Sequence, residues 1–325
     1  MNAADRLERP RVLVSIDMLP VLVERLAPHA DLDLNPAAAR LAPDVLRDRM
    51  RDKAGAVICG SDRIDEALLA ACPDLRAISS LAAGVNNIDL EACARRGIIV
   101  TNVPDVHAET VADLAWALMM NAARRVVEAD AWLRRESWQG WEFGQFLGSD
   151  VFGKKLGLIG FGAIGQALAR RAVGFGMKTQ YFARNRLHAA DETRLQAQLV
   201  SLDAIMQESD HVILTVPYSR ETHHLIGARE LALMKSSATL VNVARGGVID
   251  DAALIEALES GKPGAAALDV FENEPRFDPR LRTLSNVVIT PHIGSASMET
   301  RQAMAARAAD NLIESLATVH SRTVS

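Results

Sequence analysis

Three short stretches of this chain carry side chains suited to acid–base and anion chemistry: Val243-Ala244-Arg245-Gly246-Gly247, Asp269-Val270-Phe271-Glu272-Asn273-Glu274-Pro275 and Pro291-His292-Ile293-Gly294-Ser295. An arginine presents a rigid fork of donors that matches a carboxylate and polarises a neighbouring carbonyl, which the point charge of a lysine does not. Arg245 suits that role. A histidine gives and takes a proton near neutrality, and a carboxylate beside it favours the imidazolium that can donate to a developing alkoxide. His292 and Glu274 suit that pair. Together the three could bind an anionic carbonyl compound and move a proton while a nicotinamide moves a hydride. Each has a plainer explanation when taken singly: a strand cap, a turn residue before Pro275, a core histidine. Their joint placement near strand ends favours chemistry. His29, His107, His188, His211, His223, His224 and His320 are read as ordinary structural residues; His223 and His224, being adjacent, are badly placed to share a metal, and no metal site is expected.

A second signal is Gly160-Phe161-Gly162-Ala163-Ile164-Gly165, which follows the apolar stretch Lys155 to Ile159 and opens a helix-like one, Gln166 to Val173. A strand that ends in this pattern and feeds a helix leaves room for a pyrophosphate: the first glycine makes the turn, the second admits the phosphate, the third packs helix on strand. The helix amides then face the anion. Downstream, the strand Thr179 to Phe182 ends at Ala183, where a dinucleotide fold places the residue that meets the adenosine ribose.

Elements able to position these groups are legible on both sides. Apolar runs at Val12 to Ile16, Ala56 to Cys59, Ala77 to Ser80 and Ile98 to Val100 read as strands, separated by helices around Pro43 to Arg51, Asp65 to Ala71 and Asp89 to Arg96, which implies a parallel sheet covered by helices. Glu109 to Glu136 reads as one long helical pattern, with Asp105 and Glu109 suited to its start. After a loop rich in Trp and Gly, Trp138 to Gly148, six strands are predicted at Lys155 to Ile159, Thr179 to Phe182, His211 to Val216, Thr239 to Val243, Ala265 to Leu268 and Val287 to Thr290. Six strands complete a dinucleotide fold. The last helical stretch, Ser297 to Leu316, then has no place to pack there and is expected to return to the first domain. The fold class is therefore α/β, two doubly wound parallel-sheet domains: a Rossmann coenzyme domain over 106–294 and a discontinuous flavodoxin-like substrate domain over 1–105 and 295–325.

At 325 residues, the chain suits two domains rather than one core. It is 49% hydrophobic and 24% charged with a formal net charge of -5, which argues against nucleic acid or an anionic membrane surface as a partner. No apolar run is long enough to span a bilayer, and Met1 to Pro10 does not read as a signal peptide, so a cytoplasmic protein is expected. Cys59, Cys72 and Cys93 are odd in number and lack C-x-x-C spacing, and are read as buried free thiols.

From about Ile78 onward the chain resembles the D-isomer-specific 2-hydroxyacid dehydrogenases, and among them glyoxylate/hydroxypyruvate and 2-ketogluconate reductases. The resemblance is carried by Leu81-Ala82-Ala83-Gly84-Val85-Asn86-Asn87-Ile88-Asp89, Glu109-Thr110-Val111-Ala112-Asp113, the glycine motif, Glu221-Thr222-His223-His224-Leu225 and the three stretches above. It implies a catalytic set of Arg245, Glu274 and His292, with the backbone amides of Ala83 and Gly84 holding the carboxylate of a small 2-keto acid. It also implies an active site in a cleft between domains and a homodimer built on the long helix after Glu109. Trp138 or Trp141 would reach toward the partner's site, with Trp141 a candidate substrate contact. Cofactor contacts are expected from Gly160, Gly162, Ala163, Ile164, Gly165, Val216, Pro217, Val243, Ala244, Arg245, Asp269, His292 and Gly294.

One departure from the family pattern stands out. NAD-using members usually carry Asp at the position of Ala183, whereas this chain reads Ala183-Arg184-Asn185-Arg186. Without the carboxylate a 2′-phosphate meets no repulsion, and two guanidiniums stand ready for it. NADPH is therefore expected to be preferred, with NADH as the alternative. The competing readings are a phosphoglycerate-type or formate dehydrogenase and, from another class, a nucleotide-sensing interaction protein, since relatives of this fold include corepressors.

Overall fold

The computed structural model describes residues 9–16, 19–35, 40–104, 106–136 and 138–323; Asp105 and the side chain of His320 lie outside the described residues. The chain divides into two compact units, Met1–His107 with Ala296–Ser325, and Ala108–Ser295.

In the first unit β1 (Arg11–Val14), β2 (Asp31–Leu34), β3 (Gly55–Ile58), β4 (Ala77–Ser80) and β5 (Ile99–Thr101) form a parallel sheet in the order β2-β1-β3-β4-β5, the flavodoxin-like arrangement with its switch point between β1 and β3. Between the strands lie α1 (Pro20–Leu26), α2 (Pro43–Met50), α3 (Glu66–Ala70) and α4 (Leu90–Arg95). Strand interiors such as Gly55-Ala56-Val57-Ile58 are fully buried because helices cover both faces. One face packs Leu13, Ile58 and Ile78 under Leu46, Met50 and Leu69. The other is closed by the chain's last helix, α12 (Met298–Thr323), whose Met304, Ala305, Ala308, Ala309 and Leu312 form one helical stripe over Val12, Val57 and Ala77. A Cβ at Gly55 would stand 3.2 Å from Leu312 Cδ1, so the small residue lets the helix settle close to the sheet. The sequence reading missed α1 and β2. The latter is an edge strand of alternating Asp and Leu, paired on one side only and carrying little apolar signal.

The second unit begins with α5 (Ala108–Ala123) and α6 (Val126–Arg135). The single long helix predicted over Glu109 to Glu136 is thus two helices, broken where Arg125 takes a left-handed backbone (φ 54°). Three contacts cause the break. The Ala123 carbonyl accepts from the Ser149 amide at 2.8 Å, Gly148 lies so close to that carbonyl that any Cβ would collide with it, and Arg125 reaches the Leu147 carbonyl and Glu128. A returning loop, invisible to helical periodicity, breaks the ladder.

There follow β6 (Lys155–Ile159), α7 (Ala163–Gly174), β7 (Lys178–Phe182), α8 (Ala189–Leu195), β8 (Ala197–Leu199), α9 (Leu202–Glu208), β9 (His211–Leu214), α10 (Ala228–Leu233), β10 (Thr239–Asn242), α11 (Asp251–Glu259), β11 (Ala265–Leu268) and β12 (Val287–Ile289). The sheet has seven strands, not the predicted six, in the all-parallel order β12-β11-β10-β9-β6-β7-β8. The addition is β8, a three-residue edge strand too short for a periodic signal. This order is the Rossmann arrangement extended by one strand, and its switch point falls between β6 and β9. Cys72 and Cys93 are buried as expected, whereas Cys59 is only partly so, its thiol lying near Ser61 and Asp62 at the carboxyl end of β3.

Candidate active site

The three glycines after β6 do different work. Gly160 has φ +97°, a conformation strained for any side chain, and a Cβ there would lie 2.9 Å from Thr215 and from the Val216 amide. A Cβ on Gly165 would lie 2.6 Å from the Gly160 carbonyl, so this glycine brings α7 against the strand end. Gly162 is different: its φ is −75° and a Cβ would meet nothing within 4 Å. The protein's own packing does not require glycine at 162. Gly162 and Ala163 are exposed, and α7 starts without the side-chain cap that Asp65, Asp89, Ser201 and Asp250 provide for α3, α4, α9 and α11. An uncapped helix start behind an open glycine fits the diphosphate of a dinucleotide.

At the end of β7 the side chains of Arg184, Asn185 and Arg186 are exposed and Ala183 is half-buried. Arg186 is not free. Its Nε and Nη2 lie 2.9–3.2 Å from the carboxylate of Glu192, which also accepts at 2.7 Å from the hydroxyl of fully buried Tyr181. The hydrogen bonds from Arg186 and Tyr181 hold the Glu192 carboxyl below the usual range. Sequence reasoning missed Glu192, because its six-residue spacing from Arg186 crosses a loop into α8 and matches no local pairing rule. Phe161 stacks on Tyr181, with ring centroids 4.0 Å apart, and locks the base of this corner.

Across the switch point, loops after β10, β11 and β12 bring Arg245, Glu274 and His292 together. His292 Nδ1 lies 2.8 Å from Glu274 Oε2, while Glu274 Oε1 accepts from the Phe271 amide at 2.9 Å. Burial raises the Glu274 carboxyl, but the bonds from His292 and Phe271 and the charges of His292 and Arg245 outweigh it and hold the group below the ordinary range. It is therefore a carboxylate at neutral pH. With Nδ1 so engaged, Nε2 is the imidazole nitrogen left for other work. His292 itself sits at φ 55°, an uncommon left-handed backbone for a non-glycine and a mark of a position fixed by its surroundings. Burial lowers the guanidinium of Arg245 against the opposing charge of Glu274, yet an arginine remains a cation. Its Nη1 donates to the Ala244 carbonyl at 2.6 Å.

The fixing of His292 falls to Asp269. This residue is 1% exposed, and its carboxylate accepts from Thr290 Oγ1 (2.6 Å), the Ile293 amide (2.8 Å) and the Gly294 amide (2.8 Å), while its carbonyl accepts from the His292 amide (2.9 Å). Both carboxylate oxygens are thus engaged by the histidine loop. Gly294, a predicted cofactor contact, is buried, with a hypothetical Cβ 3.2 Å from Asp269 Oδ2 and 3.4 Å from Val111 Cγ2. Its small size suits this packing, since a Cβ would make these neighbours give by a few tenths of an ångström. Val243 and Ala244 are buried, and just past β9 Val216 is half-buried and Pro217 exposed. Ile164 is half-buried at the start of α7.

In the first unit Ala83 and Gly84 lie half-buried on the loop after β4. Trp138 and Trp141 stand 57% and 78% exposed, and the ring partner of Trp141 is Phe143, itself 83% exposed. Among the described residues no cluster of His, Cys, Asp or Glu could hold a metal ion, and no helix is long and apolar enough to cross a membrane.

A family model described as "D-isomer specific 2-hydroxyacid dehydrogenase, NAD binding domain" matches residues 116–294. The chain is 44% identical over 309 residues to the glyoxylate reductase of Thermococcus gammatolerans, covering 94% of this chain and 92% of that protein. It is likewise 44% identical over 312 residues to glyoxylate/hydroxypyruvate reductase B of Klebsiella pneumoniae, covering 95% of both. Among solved structures it is similar to an NADPH-dependent glyoxylate/hydroxypyruvate reductase of Sinorhizobium meliloti in complex with NADP and malonate, with a TM-score of 0.81 and 35% identity over 94% of this chain and 92% of that one. A glycine turn open to a diphosphate, a carboxylate-bound histidine and an extended Rossmann sheet converge with these matches: the chain belongs to the D-isomer-specific 2-hydroxyacid dehydrogenases, the NAD(P)-dependent oxidoreductases.

Proposed function

We propose that this protein is an NADPH-preferring reductase of small 2-keto acids, glyoxylate and hydroxypyruvate first and 2-ketogluconate as a further candidate, yielding D-2-hydroxy acids. The observation that carries the reading is the 2.8 Å hydrogen bond between Glu274 and His292 beside the half-buried cation of Arg245. The names of the Thermococcus and Klebsiella relatives support the substrate class. The exposed uncapped turn at Gly162 and the start of α7 would hold the cofactor diphosphate, with Ala183, Arg184 and Asn185 at its adenosine end. When bound, the reduced nicotinamide supplies the hydride chemistry. Arg245 holds the substrate carboxylate with its forked donors and polarises the adjacent carbonyl, and the amides of Ala83 and Gly84 take the same carboxylate. His292 donates a proton from Nε2 to the keto oxygen as negative charge develops there. Glu274 holds Nδ1 and keeps the ring oriented, leaving Nε2 to face the keto oxygen.

The cofactor preference rests on Ala183, which puts no carboxylate where the ribose binds, and on Arg184 and Arg186. The Glu192 carboxylate takes one edge of the Arg186 guanidinium and leaves the rest of that exposed side chain for an anion. Arg184 makes no hydrogen-bonded ion pair among the described residues, and its charge acts on Glu221. A homodimer is supported by the apolar side chains left in solvent on one stretch of the second unit: Trp138, Trp141, Phe143, Leu147 and Phe152 are each more than half exposed. The three free cysteines suit a reducing, cytoplasmic compartment. The test is oxidation of NADPH and NADH with glyoxylate, hydroxypyruvate and 2-ketogluconate. Reduction of none of them would overturn the reading, and equal kcat/KM for the two cofactors would overturn the preference.

A further inference from the structure

The loop after β4 is tied down in a way that dictates where its amides point. The Ala82 carbonyl accepts from the Val103 amide at 3.2 Å, and the Ala83 carbonyl accepts from Asn102 Nδ2 at 2.6 Å. In a trans peptide the C=O and the following N–H are antiparallel. Turning both carbonyls toward residues 102–103 therefore turns the amides of Ala83 and Gly84 the opposite way. Among the described residues neither amide has a protein acceptor, whereas the preceding Ala82 amide is satisfied by Ser80 Oγ at 3.2 Å. The far end of the loop is held as well, since Asn87 Nδ2 donates to the Asp62 carbonyl at 2.6 Å. Asn102 is itself braced: its carbonyl accepts from Asn311 Nδ2, on α12, at 3.0 Å.

We propose that Asn102 is a positioning residue for the substrate carboxylate: by holding the Ala83 carbonyl it aims and polarises the Gly84 amide, and Asn311 secures it from α12. The argument from chemistry is specific to the side chain. An aspartate could not donate to the Ala83 carbonyl and would add a negative charge beside an anion site, and an alanine would leave the peptide free to rotate. A hydrogen bond accepted by the carbonyl also strengthens the donor at the other end of the same peptide. The proposal rests on the reading that these two amides bind the keto acid.

The experiment measures oxamate affinity of the NADPH-loaded protein by titration, together with steady-state reduction of glyoxylate and of its neutral methyl ester. Asn102→Ala is expected to raise the oxamate Kd and the glyoxylate KM about tenfold, corresponding to about 1.4 kcal/mol. The kcat should stay within about threefold, because a carboxylate contact is present in ground and transition states alike. The NADPH affinity and the kcat/KM for the ester should not change. Asn102→Asp should be more severe and Asn311→Ala milder, which keeps the proposal testable if one variant fails to fold. Unchanged oxamate affinity in folded Asn102→Ala overturns the proposal, as does an equal loss for the acid and its ester, which would mark a merely structural role. If the wild type reduces no keto acid yet binds oxamate, and Asn102→Ala weakens that binding, the positioning role stands and the reductase reading falls. If the wild type does neither, both fall.

Discussion

Replacing each glycine of the 160–165 turn by alanine separates the two jobs that the turn performs. Gly160→Ala forces a side chain into φ +97° and sets its Cβ 2.9 Å from the Thr215 and Val216 backbone, against the 3.4 Å or more of ordinary contact. Backbone strain of about 1–3 kcal/mol and overpacking of similar size add to a destabilisation of roughly 2–6 kcal/mol. For a unit of this size that lowers the melting midpoint by roughly 4–24 °C. Gly165→Ala meets the Gly160 carbonyl at 2.6 Å and belongs with it. Gly162→Ala has a permitted backbone and an empty shell, so its effect on stability is at most about 1 kcal/mol, the preference for glycine over alanine at a helix N-cap. Its effect on the cofactor is large. A methyl group where phosphate closes on the helix amides should remove one charge-assisted hydrogen bond, about 1.5–3 kcal/mol or roughly a ten- to hundredfold rise in the NADPH Kd. Thermal melts without cofactor and fluorescence titration with NADPH read the two quantities independently. A Gly162→Ala protein that binds NADPH normally, or that melts as early as Gly160→Ala, would refute the assignment of this turn to the diphosphate.

Arg245→Lys should lower kcat/KM for glyoxylate roughly ten- to hundredfold while leaving NADPH affinity nearly intact, because the lost feature is the forked donor pair and not the charge; wild-type kinetics would remove Arg245 from the substrate site. Glu274→Gln removes the carboxylate that holds His292 Nδ1 and should lower kcat for glyoxylate reduction roughly ten- to hundredfold with NADPH affinity unchanged. Wild-type kcat in this variant would show that Glu274 does not orient the proton donor. Asp251 is pushed up to about 6 by burial, with the charges of Glu272 and Asp250 adding to it against the Glu272 amide bond and the charge of His224. Below about pH 4 the folded and unfolded chains both keep this proton. Between there and about pH 6 only the folded chain does, so stability falls as pH rises and stays lower above that range. The difference from an ordinary carboxyl at 3.8 is at most about 3 kcal/mol. Asp251→Asn should therefore raise the denaturation midpoint at pH 8 and leave it unchanged at pH 4, and equal effects at both would contradict the buried-acid reading.

Local signals were sufficient for much of this molecule. The glycine turn is readable because a positive φ and two close approaches exclude other residues at Gly160 and Gly165. Central strands such as His211–Leu214 and Thr239–Asn242 are readable because burial on both faces demands continuous apolar runs. Arg245, Glu274 and His292 could be singled out because only those residue types perform that chemistry, and strand ends are where a parallel sheet presents them. What escaped was whatever depends on a neighbour distant in sequence. The break at Arg125 needs the loop around Gly148, and the edge strands β2 and β8 are strands only because a partner lends them hydrogen bonds.

Residue types and periodicities, then, carried the family, the two parallel sheets and the identity of the chemical groups. Chain folding assigned their conditions of work. It tied Arg186 to Glu192 and Glu192 to Tyr181, engaged Asp269 with the loop of His292, and pinned the Ala83 carbonyl with Asn102 and, behind it, Asn311 from the end of the chain. Each of these is a hydrogen bond or ion pair whose partner is chosen by tertiary proximity. Propensity and spacing act over a few residues and cannot specify which distant donor meets which acceptor.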